Sequence, residues 1–319
     1  MKFVIQASRE MLESNAGLVL AGKILAGLDL DRRANGIAIE KMLEPRIKNA
    51  DVIRAYFGLL VLGRTAFEDI ELFRESGFFR RALGIKRVPS AETLRQRLDG
   101  SNGRFDEMIK EANAEMLKTA KMSSVRTELG EYMPVDVDVS PFENAKSHKE
   151  GTGRTYKGTD GYAPNFAYVG AEGYMLNCEL RPGTQHCQKG TPEFLQETFR
   201  LLHRLDVKES VLVRMDSGND AAQNVRMCRT EGKHYLIKRN LRREKLEDWL
   251  GIARIYGVAH EPRAGKTVYI GSCIRFMDDG RGKLEPWRIV FEVTVRTITA
   301  KGEQLLIPEL KADTYWTDL

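Results

Sequence analysis

Two aspartates, Asp136 and Asp138, stand two residues apart within the segment MPVDVDVSPFEN, which covers residues 133–144. They alternate with valines, and this period predicts a strand with one apolar face and one acidic face. Carboxylates on one face repel each other, so the pair is most stable in water or around a cation, and hard cations such as Mg²⁺ take oxygen ligands of this kind. A strand whose acidic face is simply exposed to solvent is the alternative interpretation.

A third aspartate, Asp216, follows the apolar run of residues 211–213 and precedes Ser217-Gly218. A short β-branched run that ends in turn residues predicts a buried central strand. An acid just past the carboxyl end of such a strand lies where open α/β sheets bind their ligands. An isolated aspartate in a strand-to-helix turn is more often a helix cap or a turn former, and this alternative stays open.

The composition sets limits on the class of protein. A chain of 319 residues has room for about two domains, and its net charge of +5 is compatible with a polyanionic partner without requiring one. The four cysteines form no C-x-x-C pair, so neither a zinc site nor a disulfide framework is indicated. The N-terminus lacks the apolar region of a signal peptide, and the apolar run of residues 17–28 is too short for a bilayer. We therefore expect a soluble, cytoplasmic protein with no membrane partner.

Residues 1–125 predict a helical domain. Thr65 to Glu68 fit a capping box, and Ser90 is placed to cap a helix over residues 91–98. Short helices between glycine turns are typical of a helix-turn-helix, which here would make this domain a DNA-binding and dimerisation module. A plain helical bundle with a solvated basic face is the alternative. The residues assigned to DNA contact in this domain are Arg80, Arg81, Lys86, Arg87, Arg95 and Arg97.

The second part of the chain changes from a helical to a strand-like hydrophobic period. Residues 166–170 and 173–180 predict a hairpin, and residues 191–205 predict an amphipathic helix before the strand that leads to Asp216. Three strands, a helix, a fourth strand and another helix form the front half of a ribonuclease-H-like fold. The first and fourth strands are neighbours in that fold, which would bring the paired aspartates near Asp216. We predict such a mixed α/β core over residues 126–250.

Residues 251–319 predict a β-rich insertion and the last core strand. The strands are expected over residues 268–276, 287–299, 304–308 and 314–319. Just before them, a strand over residues 234–240 and a charged helix over residues 241–250 carry the densest basic cluster of the chain. A solvated helix face is the ordinary explanation, but beside paired acids such a cluster could instead grip the DNA backbone. The residues assigned to this contact are Lys238, Arg239, Arg242 and Arg243.

With these elements in place, the sequence resembles the bacterial insertion-sequence DDE transposases that carry a β-rich insert before the third acid, most closely the group numbered 1380. The resemblance runs almost end to end. Its R-x-D-S-G and R-P-G elements are fairly specific in combination and weak singly. The matching residues are Asn15-Ala16-Gly17, residues 89–98, the D-x-D-x-S strand ending at Ser140, Gly161-Tyr162-Ala163-Pro164, Leu180-Arg181-Pro182-Gly183 and Arg214-Met215-Asp216-Ser217-Gly218.

The resemblance implies two-metal phosphoryl transfer on DNA. Asp138 matches the first catalytic acid and Asp216 the second, with Asp136 as a second candidate for the first. In this family three carboxylates hold two Mg²⁺ (or Mn²⁺) ions about 3.5–4 Å apart, which activate a water or a 3′-OH and stabilise the leaving oxygen. The implied partners are double-stranded DNA, as terminal inverted repeats and target, and a second copy of the chain. The implied location is the bacterial cytoplasm, on the nucleoid.

One element of the family pattern is missing from the sequence. The third acid should lie in a Tyr-x₂-Arg-x₃-Glu-x₆-Lys helix after the β insert, but none of the ten tyrosines is followed by Arg at the third position. The chain ends at Leu319, where that helix should begin, so we expect a truncated transposase without its C-terminal helices. Such a chain should bind DNA without cutting it, because a lost metal ligand costs many orders of magnitude in rate.

Two other functions stay open. The first is a non-catalytic DNA-binding remnant that represses transposition by its full-length relative, which is favoured because the helical half is whole while the acidic site is not. The second is a ribonuclease-H-like nuclease acting on RNA or branched DNA. It is less favoured, because such nucleases lack the β insert and the helical leader.

Overall fold

The computed structural model describes residues 13–39, 45–241, 243–278 and 281–319. The chain folds as two compact units, Met1–Thr119 and Ala120–Leu319. The predicted boundary at residue 125 lies close to this division, and the predicted domain of residues 251–319 falls within the second unit. Helices form the first unit, and a large mixed sheet with helices forms the second. The predicted mixed α/β fold class is therefore confirmed at this level.

The first unit is built from helices around an apolar core. Its elements are α1 (Leu18–Ala26), α2 (Leu30–Asn35), α3 (Asn49–Val61), a 3₁₀ helix (Phe67–Phe73), α4 (Gly77–Leu83), α5 (Ala91–Asp99) and α6 (Arg104–Leu117). Helix α3 lies at its centre, because Ala55 and Leu59 are completely buried. Helix α1 packs so closely on α4 that a Cβ added at Gly22 would lie 1.7 Å from the carbonyl oxygen of Ala82. A larger residue at this position would separate the two helices.

Two predicted helix starts in this unit have different outcomes. The Ser90 hydroxyl accepts a hydrogen bond from the backbone N–H of Thr93 at 3.2 Å, so the predicted cap of α5 is confirmed. The predicted capping box at Thr65 is wrong, because that segment forms a 3₁₀ helix with no side-chain cap. The Glu68 carboxylate that would complete the box instead binds the guanidinium of Arg95 at 2.6 Å. A tertiary ion pair thus takes the place of the predicted local hydrogen bond to the backbone.

The second unit contains the sheet and its covering helices. Its first elements are β1 (Val125–Thr127), β2 (Gly130–Val139), β3 (Phe142–Glu143), β4 (Gly153–Arg154), β5 (Asp160–Tyr162), β6 (Asn165–Val169), β7 (Tyr174–Glu179) and α7 (Thr191–His203). The remaining elements are β8 (Ser210–Met215), a 3₁₀ turn (Ser217–Asn219), α8 (Ala222–Thr230), β9 (His234–Lys238), α9 (Leu246–Tyr256), β10 (Gly257–Arg263), β11 (Lys266–Asp278), β12 (Leu284–Ile298) and β13 (Gln304–Thr317).

Strand β2 lies at the centre of the region that carries the acids. It pairs with β8 in parallel and with β6 in antiparallel orientation, and the strand order across the sheet is β10-β11-β12-β13-β9-β8-β2-β6-β7. Val135, Val137 and Val213 at this junction are almost completely buried, as expected for central parallel strands. The predicted pairing of the first acidic strand with the Asp216 strand is confirmed, and so is the hairpin formed by β6 and β7.

The β-rich C-terminal segment differs from its predicted form in two ways. Strands β10–β13 extend the same sheet, because β13 pairs with β9. Residues 304–308 and 314–319, predicted as two strands, belong mainly to the single strand β13. Pro308 does not interrupt β13, since it falls where the register with β12 shifts, between the pairs Arg296–Glu309 and Ile298–Gln304. A residue without an N–H is tolerated at such an irregularity.

Helix α9 starts at Leu246, five residues later than predicted, because the preceding turn is held by a buried ion pair. The Arg239 guanidinium is enclosed by the rings of Trp249 and Trp316, at 5.3 and 4.6 Å from their centroids. The Glu244 carboxylate accepts hydrogen bonds from Arg239 at 2.6 Å and from the indole N–H of Trp249 at 2.8 Å. Burial alone would raise the pKa of Glu244, but hydrogen bonds from Arg275 and Arg239 lower it to about 2.

Replacing Glu244 with alanine should lower the free energy of unfolding by about 3 kcal/mol, because Arg239 would stay buried without its carboxylate. Urea denaturation followed by tryptophan fluorescence measures this change, since all three tryptophans of the chain lie in the second unit. Glu247→Ala, at an exposed position of α9, is the matched control and should cost less than about 0.5 kcal/mol. Equal effects of the two substitutions would contradict this role of Glu244.

Candidate active site

Asp138 and Asp216 come together at the carboxyl ends of β2 and β8. The parallel register pairs Asp136 with Arg214 and Val137 with Met215, so the next position on each chain is Asp138 and Asp216. Both aspartates are exposed, and both line a shallow pocket on one face of the sheet. The sequence pattern alone predicted this neighbourhood, and the register supplies its physical cause.

The carboxylate of Asp216 disfavours the ionisation of Asp138. The pKa of Asp138 is raised, first by partial loss of solvent around its carboxyl and then by the negative charge of Asp216. The nearby ammonium of Lys157 lowers the pKa of Asp138 and offsets only part of this effect. A divalent cation between the two carboxylates would remove the repulsion, and their oxygens are the ligands that Mg²⁺ and Mn²⁺ prefer. The residues present therefore fit a cation site, although with two carboxylates only.

Asp136 has a different environment from Asp138. Its two carboxylate oxygens accept hydrogen bonds from Nε and Nη2 of Arg214, both at 2.6 Å. The pKa of Arg214 is raised, chiefly by this hydrogen-bonded carboxylate. A carboxylate held by a bidentate arginine is a poor candidate for a metal ligand, because its charge is already compensated. The pairing favours Asp138 over Asp136 as the first acid.

The ion pair of Arg214 with Asp136 was not predicted from the sequence. A signal for it does exist, because Arg214 stands two residues before Asp216 just as Asp136 stands two residues before Asp138. On neighbouring parallel strands, equal spacing from the two acids places the charged pair side by side. Only the assumption of parallel pairing would have been needed to find it.

Asp216 has the turn-forming role that its sequence context allows. Its Oδ1 accepts hydrogen bonds from the backbone N–H of Gly218 at 3.0 Å and from the side-chain amide of Asn219 at 3.2 Å. Asp216 therefore forms the turn after β8, and these hydrogen bonds also fix the orientation of its carboxylate. The neighbouring Asp220 accepts from the indole N–H of Trp316 at 2.8 Å and from the backbone N–H of Asn240 at 2.7 Å. These bonds tie the turn to β13 and to the end of β9.

Lys238 lies on β9 beside Asp216, because the preceding residues Ile237 and Met215 are paired in the register of β9 with β8. Its ammonium binds the Asp313 carboxylate at 2.7 Å, and its pKa is raised first by this bond and also by the charge of Asp216. Burial would raise the pKa of Asp313, but Lys238 and Lys311 bind its carboxylate and lower it. Asp313 is thus compensated by two lysines. Within the described ranges, no group of three or more His, Cys, Asp or Glu side chains is placed to hold a metal ion.

The basic residues assigned to DNA contact divide into exposed and buried ones. Those with exposed positions are Arg80, Arg81, Lys86, Arg87 and Arg243, and Arg242 lies outside the described residues. Arg239 is 5% exposed in the ion pair with Glu244, so a contact with DNA is not compatible with its position. Lys238 is half-buried beside the acids.

Helix α5 carries two of the arginines assigned to DNA contact, and both are engaged within the protein. Arg95 bridges Glu68 and Glu92, at 2.6 and 3.1 Å. Arg97 is 3% exposed and donates to the carbonyl oxygen of Ile47 and to the side chain of Asn49. Burial lowers the pKa of Arg97. The assignment of Arg97 to DNA contact is therefore wrong for this conformation, because its guanidinium holds α5 against α3.

A cationic pocket lies beside α5 in the first unit. It is lined by the side chains of Arg46, Arg74 and Arg87, with Arg97 also contributing to its wall. Arg74 is paired with Glu71 at 3.1 Å, whereas Arg87 is exposed. The concentration of guanidinium groups makes this pocket chemically suited to an anion.

Comparison with known proteins decides the family. The family model described as Transposase DDE domain group 1 matches residues 2–251. The chain belongs to this family. The transposase identity that the sequence resemblance implied is thus confirmed, whereas membership in the group numbered 1380 stays a prediction. No curated protein matches the chain significantly.

One solved structure similar to this DDE transposase chain is the cryo-EM structure of the piggyBac transposase synaptic complex with hairpin DNA. The identity is 14%, and the TM-score is 0.35. The match covers 94% of this chain and 60% of the piggyBac chain, so the chain spans about 60% of the length of that protein. None of the helices among the described residues is long and apolar enough to cross a membrane.

Asp138→Asn and Asp136→Asn should change stability in opposite directions. Because the folded-state pKa of Asp138 is raised above 3.8, the ionised carboxylate is disfavoured in the folded state at neutral pH. Asp138→Asn should therefore raise the free energy of unfolding, and the gain should vanish as the pH falls below 3.8, where wild type is protonated in both states. Asp136→Asn should lower the free energy of unfolding by about 1 kcal/mol or less, because the half-exposed guanidinium of Arg214 loses its partner.

Urea denaturation in a chelating buffer, repeated from neutral to acid pH, measures both effects. Adding Mn²⁺ to wild type should then stabilise the folded state, because a ligand that binds only the folded protein shifts the equilibrium toward it. Asp138→Asn should lose this response and Asp136→Asn should keep it. Destabilisation by both substitutions, or an equal Mn²⁺ response in both, would contradict the assignment of Asp138.

Proposed function

We propose that the chain carries the catalytic core of a DDE transposase, the class of enzyme that cleaves insertion-sequence ends and joins them to target DNA, with two of the three acids supplied by the described residues. The observation that carries this proposal is the position of Asp138 and Asp216, side by side at the carboxyl ends of two parallel strands. Membership in the DDE family supports the same reaction class. Asp138 and Asp216 are the proposed catalytic and metal-binding residues, and Asp136 is the proposed partner that orients Arg214.

The core is proposed to have a ribonuclease-H-like topology. Its support is the strand order β7-β6-β2-β8-β9, in which the first core strand stands between the second and the fourth. The first three core strands are antiparallel neighbours, and the fourth and fifth run parallel to the first. The assignment to the group numbered 1380 belongs to the same proposal and rests on the sequence elements that match it.

Mg²⁺ or Mn²⁺ is the proposed cofactor, held by the carboxylates of Asp138 and Asp216. When bound, such an ion lowers the pKa of a coordinated water or 3′-OH and compensates charge on a phosphate. The protein's own contribution is to hold the two carboxylates in place. The turn bonds from Gly218 and Asn219 fix Asp216, and the pairing of β2 with β8 fixes Asp138.

Double-stranded DNA is the proposed partner, as inverted-repeat ends and as target. The proposed contacts of the first unit are its exposed cations, because exposed cations can displace the counterions that surround phosphates. They are Arg80, Arg81, Lys86 and Arg87, with Arg46 and Arg74 at the cationic pocket. Two copies of the chain acting on two DNA ends, in a bacterial cytoplasm, complete the proposal.

A second candidate function is a DNA-binding protein without nuclease activity that represses transposition. The observation in its favour is the lack, among the described residues, of a third acid beside Asp138 and Asp216. Two carboxylates hold a metal ion only weakly, and catalysis depends on exact ligand placement. Both candidates share the DNA-binding surface, so cleavage alone separates them.

Metal-dependent DNA binding and plasmid nicking test the two functions together. We expect Mn²⁺ to strengthen binding of the full chain to a duplex oligonucleotide by about tenfold, the usual size of coupling between two ligands. Asp138→Ala and Asp216→Ala should each abolish this gain while keeping metal-free binding, and Asp136→Ala should keep the gain. Nicking of supercoiled plasmid in Mn²⁺ should be close to background.

The possible outcomes lead to different conclusions. Strong nicking that Asp216→Ala abolishes would establish the transposase site and show that Asp138 and Asp216 suffice without a third acid among the described residues. Strong nicking that survives both Asp138→Ala and Asp216→Ala would reject the proposed site. Background nicking together with metal-strengthened binding is the expected result and favours a DNA-bound, non-cutting chain. Binding that ignores Mn²⁺ would reject the metal site.

A further inference from the structure

A short hairpin between β2 and β6 carries two side chains, Tyr156 and Lys157, that have no role in the proposed metal site. Strands β3, β5 and β4 form a small sheet, and the β4–β5 connection contains Tyr156 and Lys157. The backbone N–H of Gly158 donates to the Thr155 carbonyl at 2.9 Å, and the Thr155 hydroxyl donates to the Thr159 carbonyl at 2.8 Å. Tyr156 and Lys157 are thus the central residues of a tight, hydrogen-bonded turn.

The turn is directed toward the two acids. The Tyr156 hydroxyl donates to the carbonyl oxygen of Val139, the residue after Asp138, at 3.2 Å. The pKa of Tyr156 is raised, first by partial burial of its hydroxyl and then by the charges of Asp138 and Asp216. The rest of the side chain is open to solvent, because the residue is 68% exposed.

Lys157 adds a positive charge at the same place. Its ammonium lies 5.9 Å from the centroid of the Tyr156 ring, and its charge acts on the carboxyl of Asp138. The turn therefore presents an exposed aromatic ring and a cation side by side next to the acid pair.

Close backbone packing holds the small sheet in position. A Cβ added at Gly161 would lie 1.9 Å from the carbonyl oxygen of Phe142, and one added at Gly183 would lie 2.2 Å from that of Gly161. Tyr162 also forms a β-bridge with Pro182. Two sequence elements, Gly161-Tyr162-Ala163-Pro164 and Leu180-Arg181-Pro182-Gly183, are thus in contact, and both need glycine where the chains approach.

The second of these elements is in turn connected to the Asp216 turn. Arg181 is 1% exposed and donates to the carbonyl oxygens of Cys187 and Gly190, both at 3.1 Å. The Cys187 thiol donates to the carbonyl oxygen of Gly218 at 2.8 Å. A continuous set of contacts therefore links the hairpin, the Arg181 turn and the turn that carries Asp216.

We propose that Tyr156 and Lys157 bind the DNA strand at the cleavage position. The Lys157 ammonium contacts an oxygen of the phosphate that reaches Asp138 and Asp216, and the Tyr156 ring stacks on an unpaired base next to that phosphate. The pairing of a cation with an exposed ring is the usual means of holding a single strand, because every base offers a face for stacking. The inference rests on the proposed function, since it takes the acid pair as the reaction site.

A fluorescent base analogue tests the stacking directly. The probe is a duplex oligonucleotide with a short single-stranded 3′ extension that contains 2-aminopurine, compared with the blunt duplex. Wild type should quench the 2-aminopurine fluorescence and prefer the extended duplex. Tyr156→Leu should lose the quenching and reduce that preference about tenfold, whereas Tyr156→Phe should keep both because it retains the ring.

Two further variants complete the design. Lys157→Gln should weaken binding of both DNAs alike and reduce the salt dependence of the binding constant by about one phosphate contact. Tyr256→Leu removes a comparably exposed tyrosine, at 60% exposure at the end of α9, and should leave both DNAs unaffected. Tryptophan fluorescence and urea denaturation of each variant show whether the second unit is intact.

Three results would overturn the inference. They are wild-type quenching in Tyr156→Leu, equal losses in Tyr156→Phe and Tyr156→Leu, and an effect of Tyr256→Leu as large as that of Tyr156→Leu. The second result would assign the effect to the hydroxyl bond with Val139 instead of to stacking. Failure of the proposed function is distinguishable from these, because it would show as Mn²⁺-independent binding that Asp138→Ala and Asp216→Ala leave unchanged.

Discussion

The parallel pairing of β2 with β8 is the constraint on which the rest of the site depends. Its register places Asp138 against Asp216 and creates a local repulsion that folding must accommodate. The surroundings limit the excess negative charge, because Arg214 compensates Asp136 and Lys238 compensates Asp313. Arg214 and Lys238 thus form their ion pairs with Asp136 and Asp313, and not with the Asp138–Asp216 pair. A site of this kind favours the arrival of a cation, and a cation in turn favours the approach of a phosphate.

Much of the fold around the site could be predicted from the sequence because the relevant signals are local. Alternating valines and aspartates indicate a strand with an acidic face, and the apolar run before Asp216 indicates a buried neighbour. The Ser90 cap of α5 is likewise encoded within four residues. These features require no knowledge of distant parts of the chain, and the structure has them where the pattern predicts them.

The features that sequence reasoning missed depend on contacts between distant segments. Arg97 and Arg239 look like members of basic clusters, but each guanidinium is buried against partners elsewhere in the fold. The late start of α9 follows from Glu244, whose carboxylate is bound by Arg239, Arg275 and Trp249. Counting basic residues along the chain therefore overstates the surface that is open to DNA, because an arginine can be a packing residue as well as a phosphate ligand.

Locating a Mn²⁺ ion in crystals of the protein is the most direct test of the proposed metal site at Asp138 and Asp216. Anomalous scattering from crystals grown or soaked with Mn²⁺ would locate the ion independently of activity. We expect a peak between the carboxylates of Asp138 and Asp216, with Asp136 still bound to Arg214. A peak at Asp136 or Asp313, or no peak near the Asp138–Asp216 pair at saturating Mn²⁺, would contradict the proposed metal site.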